Sequence, residues 1–391
     1  MQLFRQASDL PANLICYLFC LPLAFGIVGK SFTIADIAMI GLVLTRMIKF
    51  LFNPTLRISH FDAFFLAFVG VALTGHNVLS HSGAFTFELG SLILLYVGSV
   101  IIADLLSTAK EFKHFIELTG SMLAVLLAFS GIVIFLKMAG LTEETAIFFS
   151  KHNTYRAMFN FTNQLAIFLI CLWPIAVLRF AESTWKRLLL YAAFFLTVSS
   201  IGSRSGFWLA LVQTLLVEIF LPPPRRILNI VLSCLAVGCI IALVISLLAT
   251  DLGLQRSLGN LEKASLGFDE SRVVNYRQAI NSSPTWIRGY GLGCFDQTHR
   301  HEVHNTPFSL LVETGVFGFS IVAFVFISLL WLFFQSVPPE EFAKVKVALY
   351  LAWGGIVAVG MFHYLLRNRA AWIVFALTMA FVKLSKREMS I

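Results

Sequence analysis

Apolar runs long enough to cross a lipid bilayer recur along the whole chain, and they limit the fold more than any other feature. An α-helix rises about 1.5 Å per residue, so roughly 20 apolar residues span the hydrocarbon core. Runs such as 14–29 and 230–249 lack the two-residue alternation of a membrane β-barrel. Because 58% of the residues are hydrophobic and only 13% are charged, the sequence predicts an all-α, polytopic integral membrane protein.

We predict about twelve transmembrane helices, which together form a single domain over residues 1–391. The predicted spans are 11–29, 32–52, 60–79, 85–106, 114–137, 161–180, 187–201, 204–221, 226–249, 306–334, 344–363 and 370–384. Residues 250–305 are expected to form one long loop that contains short helices. The first span is long, and a second span follows it without a small-residue cleavage site, so we interpret it as a retained helix rather than a secretory signal.

The distribution of basic residues predicts the orientation. If the N-terminus is cytoplasmic, every inner connection carries lysine or arginine, as the positive-inside rule expects. These inner cations are Arg46, Lys49, Arg57, Lys110, Lys113, Arg179, Lys186, Arg187, Arg225, Arg226, Lys344, Lys346, Lys383, Lys386 and Arg387. Both termini are therefore expected in the cytoplasm and the loop 250–305 in the periplasm. The same topology accounts for the formal charge of +8, and no basic stripe interleaved with aromatics suggests a nucleic-acid partner.

Several arginines lie on the predicted outer side, against this bias. In the loop 250–305 six cations are matched by six acids, so a solvated, locally neutral loop accounts for most of them. Arg204 differs, because "TVSSIGSRSGFWLALV" contains no acid and Ser203 can cap the helix that begins there. An uncompensated arginine beside a helix N-terminus is suited to binding an anion. We therefore interpret Arg204 as an anion ligand.

The segment "THRHEVHNTPF" (298–308) concentrates ionisable side chains at the edge of a long apolar run. Thr306 followed by Pro307 predicts a helix start, with the threonine at the cap and the proline at the first helical position. His304 and Asn305 would then lie at the outer boundary of the membrane, where a membrane-bound substrate presents its headgroup.

The histidines of this segment are compatible with three chemistries. A zinc site is disfavoured because the H-E-x-x-H spacing of metalloproteases is absent, and a serine hydrolase because no G-x-S-x-G elbow occurs. A single general base is the simplest interpretation of His304, since the unperturbed pKa of histidine suits proton abstraction near neutral pH. His299 and His301 fit surface positions.

The glycine motif "GYGLGCF" (289–295) resembles part of a nucleotide-binding fingerprint. It lacks the strand and helix that such a fingerprint requires, and it lies on the predicted outer side, away from nucleotides. We interpret it as a backbone turn. Because no nucleotide pool exists outside the membrane, the energy for any synthetic reaction there must be carried by the substrate itself.

Several segments in the same order resemble the O-antigen ligase and polymerase superfamily of bacterial inner-membrane glycosyltransferases. The segments are "YRAMFNFTNQLA" (155–166), "SRSGFWLALV" (203–212), "ESRVVNYRQAI" (270–280) with "RGYGLGCF" (288–295), and "HNTPFSLLVETGVFG" (304–318). Their order, spacing and predicted membrane side agree. The resemblance covers roughly residues 150–320.

The resemblance implies transfer of a glycan from an undecaprenyl-diphosphate-linked donor to a lipid A-core acceptor, with no metal or other cofactor. Carried over motif by motif, it implies that Arg156, Arg204 and Arg272 bind the diphosphate. It also implies that His304, assisted by Asn305, activates the acceptor hydroxyl. Arginine suits this role because its planar fork pairs with phosphate oxygens and stays charged while the leaving group gains charge.

Other residues have less specific expectations. Arg288, Arg367 and Arg369 are candidate contacts to donor or acceptor phosphates, with the headgroups of ordinary membrane lipids as the alternative for Arg367 and Arg369. Glu313 and Gly315 also match the superfamily pattern. We interpret both as helix-packing residues, with Gly315 and Gly318 allowing close approach.

Two further functions stay open at this point. A polymerase would use the same donor site but pass the growing chain to another lipid-linked repeat unit, and the long loop favours the ligase. Few residues follow position 384, which disfavours the protein-glycosylating relatives with an appended outer domain. A lipid or glycan transporter would also be polytopic, but its polar groups should lie near the midplane between repeated halves, and the sequence contains no inverted repeat.

Overall fold

The computed structural model describes a helical protein. It covers residues 24–27, 30–33, 40–41, 43–44, 59–75, 78–138, 162–201, 203–221, 231, 235, 237–239, 276–277, 279–281, 286–299, 303, 305–338 and 340–388. Within these residues four helices are long and apolar enough to cross a membrane, namely Ser82–Leu105, Ala109–Lys137, Thr306–Gln335 and Glu340–Gly360. The predicted helical, membrane-type fold is confirmed at this level.

From residue 59 onward the long helices follow the predicted spans where the two can be compared. They are α1 (His60–Ala72), α2 (Ser82–Leu105), α3 (Ala109–Met138), α4 (Thr162–Arg179), α5 (Thr184–Ile201), α6 (Arg204–Phe220), α7 (Cys294–His299), α8 (Thr306–Gln335), α9 (Ala343–Gly360) and α10 (Arg369–Glu388). A 3-10 turn at Glu340–Phe342 precedes α9. The short helix α7 lies within the region 250–305, as expected for the long loop.

The structure differs from the first two predicted spans, 11–29 and 32–52, at residues 24–27 and 30–33, whereas residues 40–41 and 43–44 of the second span are helical. Strands β1 (Ala24–Ile27) and β2 (Lys30–Thr33) pair as an antiparallel hairpin in which Ile27 lies opposite Lys30. Two residues connect the strands, which is the commonest hairpin length. At these residues the prediction of helix is wrong, because apolar sequence that contains aromatic and β-branched residues suits a strand as well as a helix.

One compact unit comprises residues 1–41, 104–265 and 338–359. In it α4 packs against α3, α5 and α6, and its apolar residues are almost completely buried. Trp173 of α4 stacks on Phe194 of α5 with ring centroids 3.8 Å apart. Gly120 of α3 has no room for a side chain, because a Cβ there would press on Arg179 and on the Ile175 carbonyl of α4. Close packing around α4 therefore organises this unit.

A buried ion pair lies between α5 and α6 of the same unit. Arg187 Nη2 is 3.0 Å from Glu218 Oε1, and both side chains are only 1% exposed. The Tyr191 hydroxyl donates to the other carboxylate oxygen at 2.6 Å, and Arg187 also donates to the Ala181 carbonyl oxygen. The sequence placed Arg187 among the inner-loop cations, but the structure buries it inside the helix packing.

A second compact unit comprises residues 42–103, 266–337 and 360–391. Helices α1 and α10 both pack against α8. Helix α2 is joined to α10 by a hydrogen bond from the Ser99 hydroxyl to the Trp372 carbonyl oxygen (3.1 Å). Phe65 of α1 stacks on Tyr96 of α2 with centroids 3.9 Å apart. Most of the described candidate site residues belong to this unit.

Replacing Arg187 with methionine should lower the free energy of unfolding by about 3–5 kcal/mol, because it leaves the Glu218 carboxylate buried without its cation. The double variant Arg187→Met/Glu218→Leu should recover most of the loss, since no buried charge then remains. Thermal unfolding in detergent measures both effects. Lys186→Met, at the exposed neighbouring position, is the matched control. Equal melting temperatures for the Arg187 and Lys186 variants would contradict the assignment.

Candidate functional site

Apart from Arg204, the described residues of the predicted site lie at one end of the second unit, where several helix ends and loops meet. Residues 286–293, which we call the glycine loop, contact the chain just after α1, because a Cβ on Gly75 would overlap the backbone of Gly291. The glycine loop also meets α2 at Glu88, which occupies the space that a side chain on Gly293 would need. Residues 361–368, the α9–α10 turn, contact the starts of α2 and α8.

Helix α8 begins with Asn305 as its cap. The Asn305 Oδ1 accepts a hydrogen bond from the Phe308 N–H at 2.9 Å, which satisfies one of the free donors of the first turn. Thr306 was predicted as the cap, but it is the first helical residue, and Pro307 lies in the first turn. The correction by one residue follows from chemistry, since an asparagine side chain is the better cap.

The start of α8 is tied to the α9–α10 turn. The Asn305 Nδ2 donates to the Met361 carbonyl oxygen at 3.1 Å. The Thr306 hydroxyl donates to the His363 carbonyl oxygen at 2.6 Å and accepts from the Leu365 N–H at 2.9 Å. Asn305 therefore has both ends of its side chain engaged, one in the cap and one in the turn. Its side chain holds the backbone that directly follows the proposed base.

Helix α8 is broken at Gly315, which has φ 67° and ψ −177°. The glycine loop lies in the break and pairs with the backbone groups that the break releases. The Tyr290 N–H donates to the Val312 carbonyl oxygen at 3.0 Å, and the Gly291 N–H donates to the Glu313 carbonyl oxygen at 2.8 Å. On the far side of the break the Val316 N–H donates to the Trp286 carbonyl oxygen at 2.7 Å. No water is needed to satisfy these groups.

Glycine is required at two positions of this contact. Gly315 and Gly289 both have positive φ, a region that only glycine enters readily. A Cβ on Gly315 would overlap the Ile287 carbonyl, and a Cβ on Gly289 would overlap the Glu313 carbonyl. The interpretation of "GYGLGCF" as a backbone turn is confirmed. The helix-packing interpretation of Gly315 is wrong, because this glycine interrupts its own helix and admits a loop. At Gly318 the atoms nearest to an added Cβ belong to Thr314 of α8 itself.

A chain of polar side chains crosses the same end of the unit. Glu88 of α2 is buried and forms a salt bridge with Arg367, whose side chain is 37% exposed. The Arg367 guanidinium lies 5.2 Å from the centroid of the Tyr364 ring. The Tyr364 hydroxyl donates to Glu313 Oε2 at 3.4 Å, and Glu313 is buried as well. Two buried carboxylates are thus joined through one arginine and one tyrosine.

The sequence analysis missed Glu88 and Tyr364, and it assigned Glu313 to packing. A signal existed for Glu88, which is the one charged residue among the first 22 residues of α2, residues 82–103. A carboxylate inside a membrane helix is costly, and it is retained only when it is paired or functional. No comparable signal existed for Tyr364, because its role depends on its position between residues that are distant in sequence.

The candidate arginines are distributed as follows. Arg288 lies exposed in the glycine loop, Arg367 lies in the α9–α10 turn, and Arg369 begins α10 half-buried, all in the second unit. Arg204 begins α6 in the first unit, and Ser203 caps that helix as predicted, accepting from the Gly206 N–H at 3.3 Å. The Arg204 side chain lies outside the described part of the chain. Residues Arg156, Arg272 and His304 lie entirely outside the described part of the chain.

The zinc alternative depends on histidine side chains that lie outside the described part of the chain. Within residues whose side chains are described, no group of three or more His, Cys, Asp or Glu is placed to hold a metal ion. The side chains of His299, His301 and His304 do not belong to that set.

Comparison with known proteins assigns no family. No protein-family model matches this chain, and no curated protein matches it. The resemblance to the O-antigen ligase and polymerase superfamily therefore stays a prediction from the motifs.

Gly315→Ala and Gly289→Ala should each destabilise the protein by about 1–3 kcal/mol through backbone strain, with steric overlap adding to the loss. Gly90→Ala is the matched control, because Gly90 lies in a helix with open space around its Cα. That substitution should be neutral or stabilising by about 0.5–1 kcal/mol. Thermal unfolding in detergent measures all three. A Gly315 variant as stable as the Gly90 variant would show that the glycine loop does not occupy the helix break.

Burial raises the pKa of the Cys294 thiol to about 11, and the nearby Glu313 carboxylate acts in the same direction. Because only the thiolate reacts with iodoacetamide, the folded protein should be alkylated slowly at pH 8 and faster as the pH approaches 11. The measurement uses a variant in which the other five of the six cysteines are alanine. The same variant unfolded in SDS should react readily at pH 8. Equal rates at pH 8 would contradict the buried position of Cys294.

Proposed function

We propose that this chain is a glycosyltransferase of the O-antigen ligase type. It transfers O-antigen polysaccharide from undecaprenyl diphosphate to the lipid A core. The observation that carries the proposal is the joining of the α8 start to the α9–α10 turn through Asn305 and Thr306. The residue that follows the proposed base His304 is thereby held beside the turn that leads to Arg367 and Arg369.

The proposal includes a topology of about twelve spans in the bacterial inner membrane, with both termini cytoplasmic and the site facing the periplasm. The positive-inside distribution of basic residues supports this orientation. The hydrogen bond from Asn305 to Met361 agrees with α8 and α9 being successive spans, since the start of one and the end of the other then lie on the same side of the membrane.

In the proposed reaction Arg156, Arg204 and Arg272 hold the donor diphosphate. His304 removes the proton from an acceptor sugar hydroxyl as its oxygen attacks the anomeric carbon. The bond between that carbon and the diphosphate oxygen breaks, undecaprenyl diphosphate leaves with the bonding electrons, and the anomeric centre is inverted. The fixed guanidinium groups stabilise the charge that develops on the leaving group. No metal, nucleotide or other cofactor takes part in this scheme.

Asn305 has a supporting role in this mechanism. Its side chain caps α8 and binds the Met361 carbonyl, so it orients the chain at the site instead of contacting the acceptor directly. Pre-organisation of this kind lowers the barrier by removing the need for reorganisation during the reaction.

The main alternative is an O-antigen polymerase, which would use the same donor site and a lipid-linked repeat unit as acceptor. Deletion in the native strain followed by gel analysis of lipopolysaccharide separates the two. The ligase predicts loss of all capped chains with accumulation of lipid-linked polymer, whereas a polymerase predicts a single repeat on the core. A transporter of lipid or glycan, the alternative from a different class, predicts no transfer by the purified protein.

His304→Ala should abolish transfer by the purified protein in nanodiscs while donor binding is retained, because the base is lost and the diphosphate ligands remain. Arg204→Ala should weaken donor binding as well. His301→Ala, at a predicted surface position, is the matched control and should keep its activity. Full activity of the His304 variant would refute its role. Loss of transfer on chelation with EDTA would instead favour the zinc alternative.

A further inference from the structure

An apolar cavity lies within the second unit, between α1, α2, α8 and α10. The cavity is open on one side. Every lining residue is aromatic or aliphatic, and the walls include Phe65, Leu92, Tyr96, Val322, Trp372 and Phe375. The cavity therefore suits an apolar occupant.

The polar atoms of the lining aromatics point to partners other than a ligand. The Tyr96 hydroxyl donates to Asp62 Oδ1 at 2.9 Å, and the Trp372 indole N–H donates to the Leu366 carbonyl oxygen at 2.7 Å. Trp372 and Phe375 contact each other with centroids 5.6 Å apart. The rings are held in place by these bonds and contacts, so the cavity wall is pre-organised and presents ring faces and edges to the interior.

The Glu88–Arg367 ion pair lies beside one end of this cavity. On α2, Leu92 lines the cavity and Glu88 is one helical turn away on the same face, about 6 Å along the axis. On the other side of the pair, Leu366 lines the cavity and Arg367 is the next residue. Both partners thus place the ion pair next to the apolar space.

Arg367 has the properties of a ligand for an anionic headgroup at this position. Glu88 engages its Nε, which fixes the orientation of the guanidinium, while the side chain stays 37% exposed. A guanidinium carries five N–H donors in a planar fork that matches phosphate oxygens. Arg369, two residues later, adds positive charge at the start of α10.

We propose that the cavity binds the head-proximal part of one lipid chain and that Arg367 contacts the phosphate of that lipid. The occupant is the polyprenyl chain of a polyprenyl phosphate or diphosphate, so this inference rests on the proposed function. One apolar space with one adjoining cation suits a single-chain lipid phosphate. A diacyl phospholipid would have to place a second chain elsewhere.

The test measures binding of undecaprenyl phosphate to the purified full-length protein in detergent, by native mass spectrometry. Val322→Trp fills the cavity from its half-buried side and should weaken binding about tenfold or more. Val125→Trp, on an exposed apolar face of α3, is the matched control. Val325→Phe provides a second, smaller obstruction if the tryptophan variant fails to fold.

A second pair of variants tests the headgroup contact. Arg367→Gln should weaken binding of undecaprenyl phosphate about tenfold or more, through loss of charge-assisted hydrogen bonds. It should leave binding of the uncharged undecaprenol unchanged. Arg179→Gln, an exposed arginine of the first unit, is the control and should have no effect on either lipid.

Three outcomes would overturn the inference. The first is unchanged binding of undecaprenyl phosphate in the cavity-filling variants. The second is equal binding of undecaprenol and undecaprenyl phosphate by the unmodified protein. The third is binding of dioleoyl phosphatidic acid that is equally tight and responds to the variants in the same way. The last outcome would assign the cavity to ordinary phospholipid. Because no turnover is measured, failure of the transfer assay with intact polyprenyl binding would reject the proposed function alone.

Discussion

Backbone hydrogen bonding at the break in α8 is the constraint on which the described site depends. An interrupted apolar helix leaves carbonyl and N–H groups without partners, and in a membrane no water is available to satisfy them. Here the glycine loop supplies the missing partners on both sides of Gly315. In this contact the glycine loop contains Arg288, and the facing part of α8 contains Glu313. Hydrogen bonds at the break therefore hold the glycine loop against α8.

In each compact unit a buried glutamate forms an ion pair with an arginine. Glu218 is neutralised by Arg187, and Glu88 by Arg367, in each case between residues far apart in the chain. Removing either partner would leave an uncompensated charge in an apolar environment. The two pairs differ in exposure, however. Arg187 is fully enclosed and serves packing, whereas Arg367 keeps an exposed side and can contact a ligand.

The H-N-T-P start of α8 shows how a short motif combines structural and chemical roles. Asn305 and Thr306 use their side chains to fasten the helix to the α9–α10 turn, and Pro307 suits the first turn because it needs no donor. Asn305, Thr306 and Pro307 thus have structural roles, and His304 is the residue of the motif to which we assign the chemistry in our proposal. In the proposed mechanism the motif positions its base through its neighbours, so changes at Asn305 and His304 would act on the reaction by different routes.

The sequence by itself determined the helical membrane class, the approximate bounds of α2 to α6 and α8 to α10, the Ser203 cap and the turn at 289–295. These features depend on transfer free energies of single segments and on contacts between residues a few positions apart. Tertiary structure decided the break at Gly315, the Asn305–Met361 bond and the Glu88–Arg367 and Arg187–Glu218 pairs. Each of these features depends on a contact between residues that are distant in the sequence. A pattern of neighbouring residues does not indicate which distant residue will be the partner. The hairpin at 24–33 belongs with them, because apolar sequence that contains aromatic and β-branched residues suits strand and helix alike.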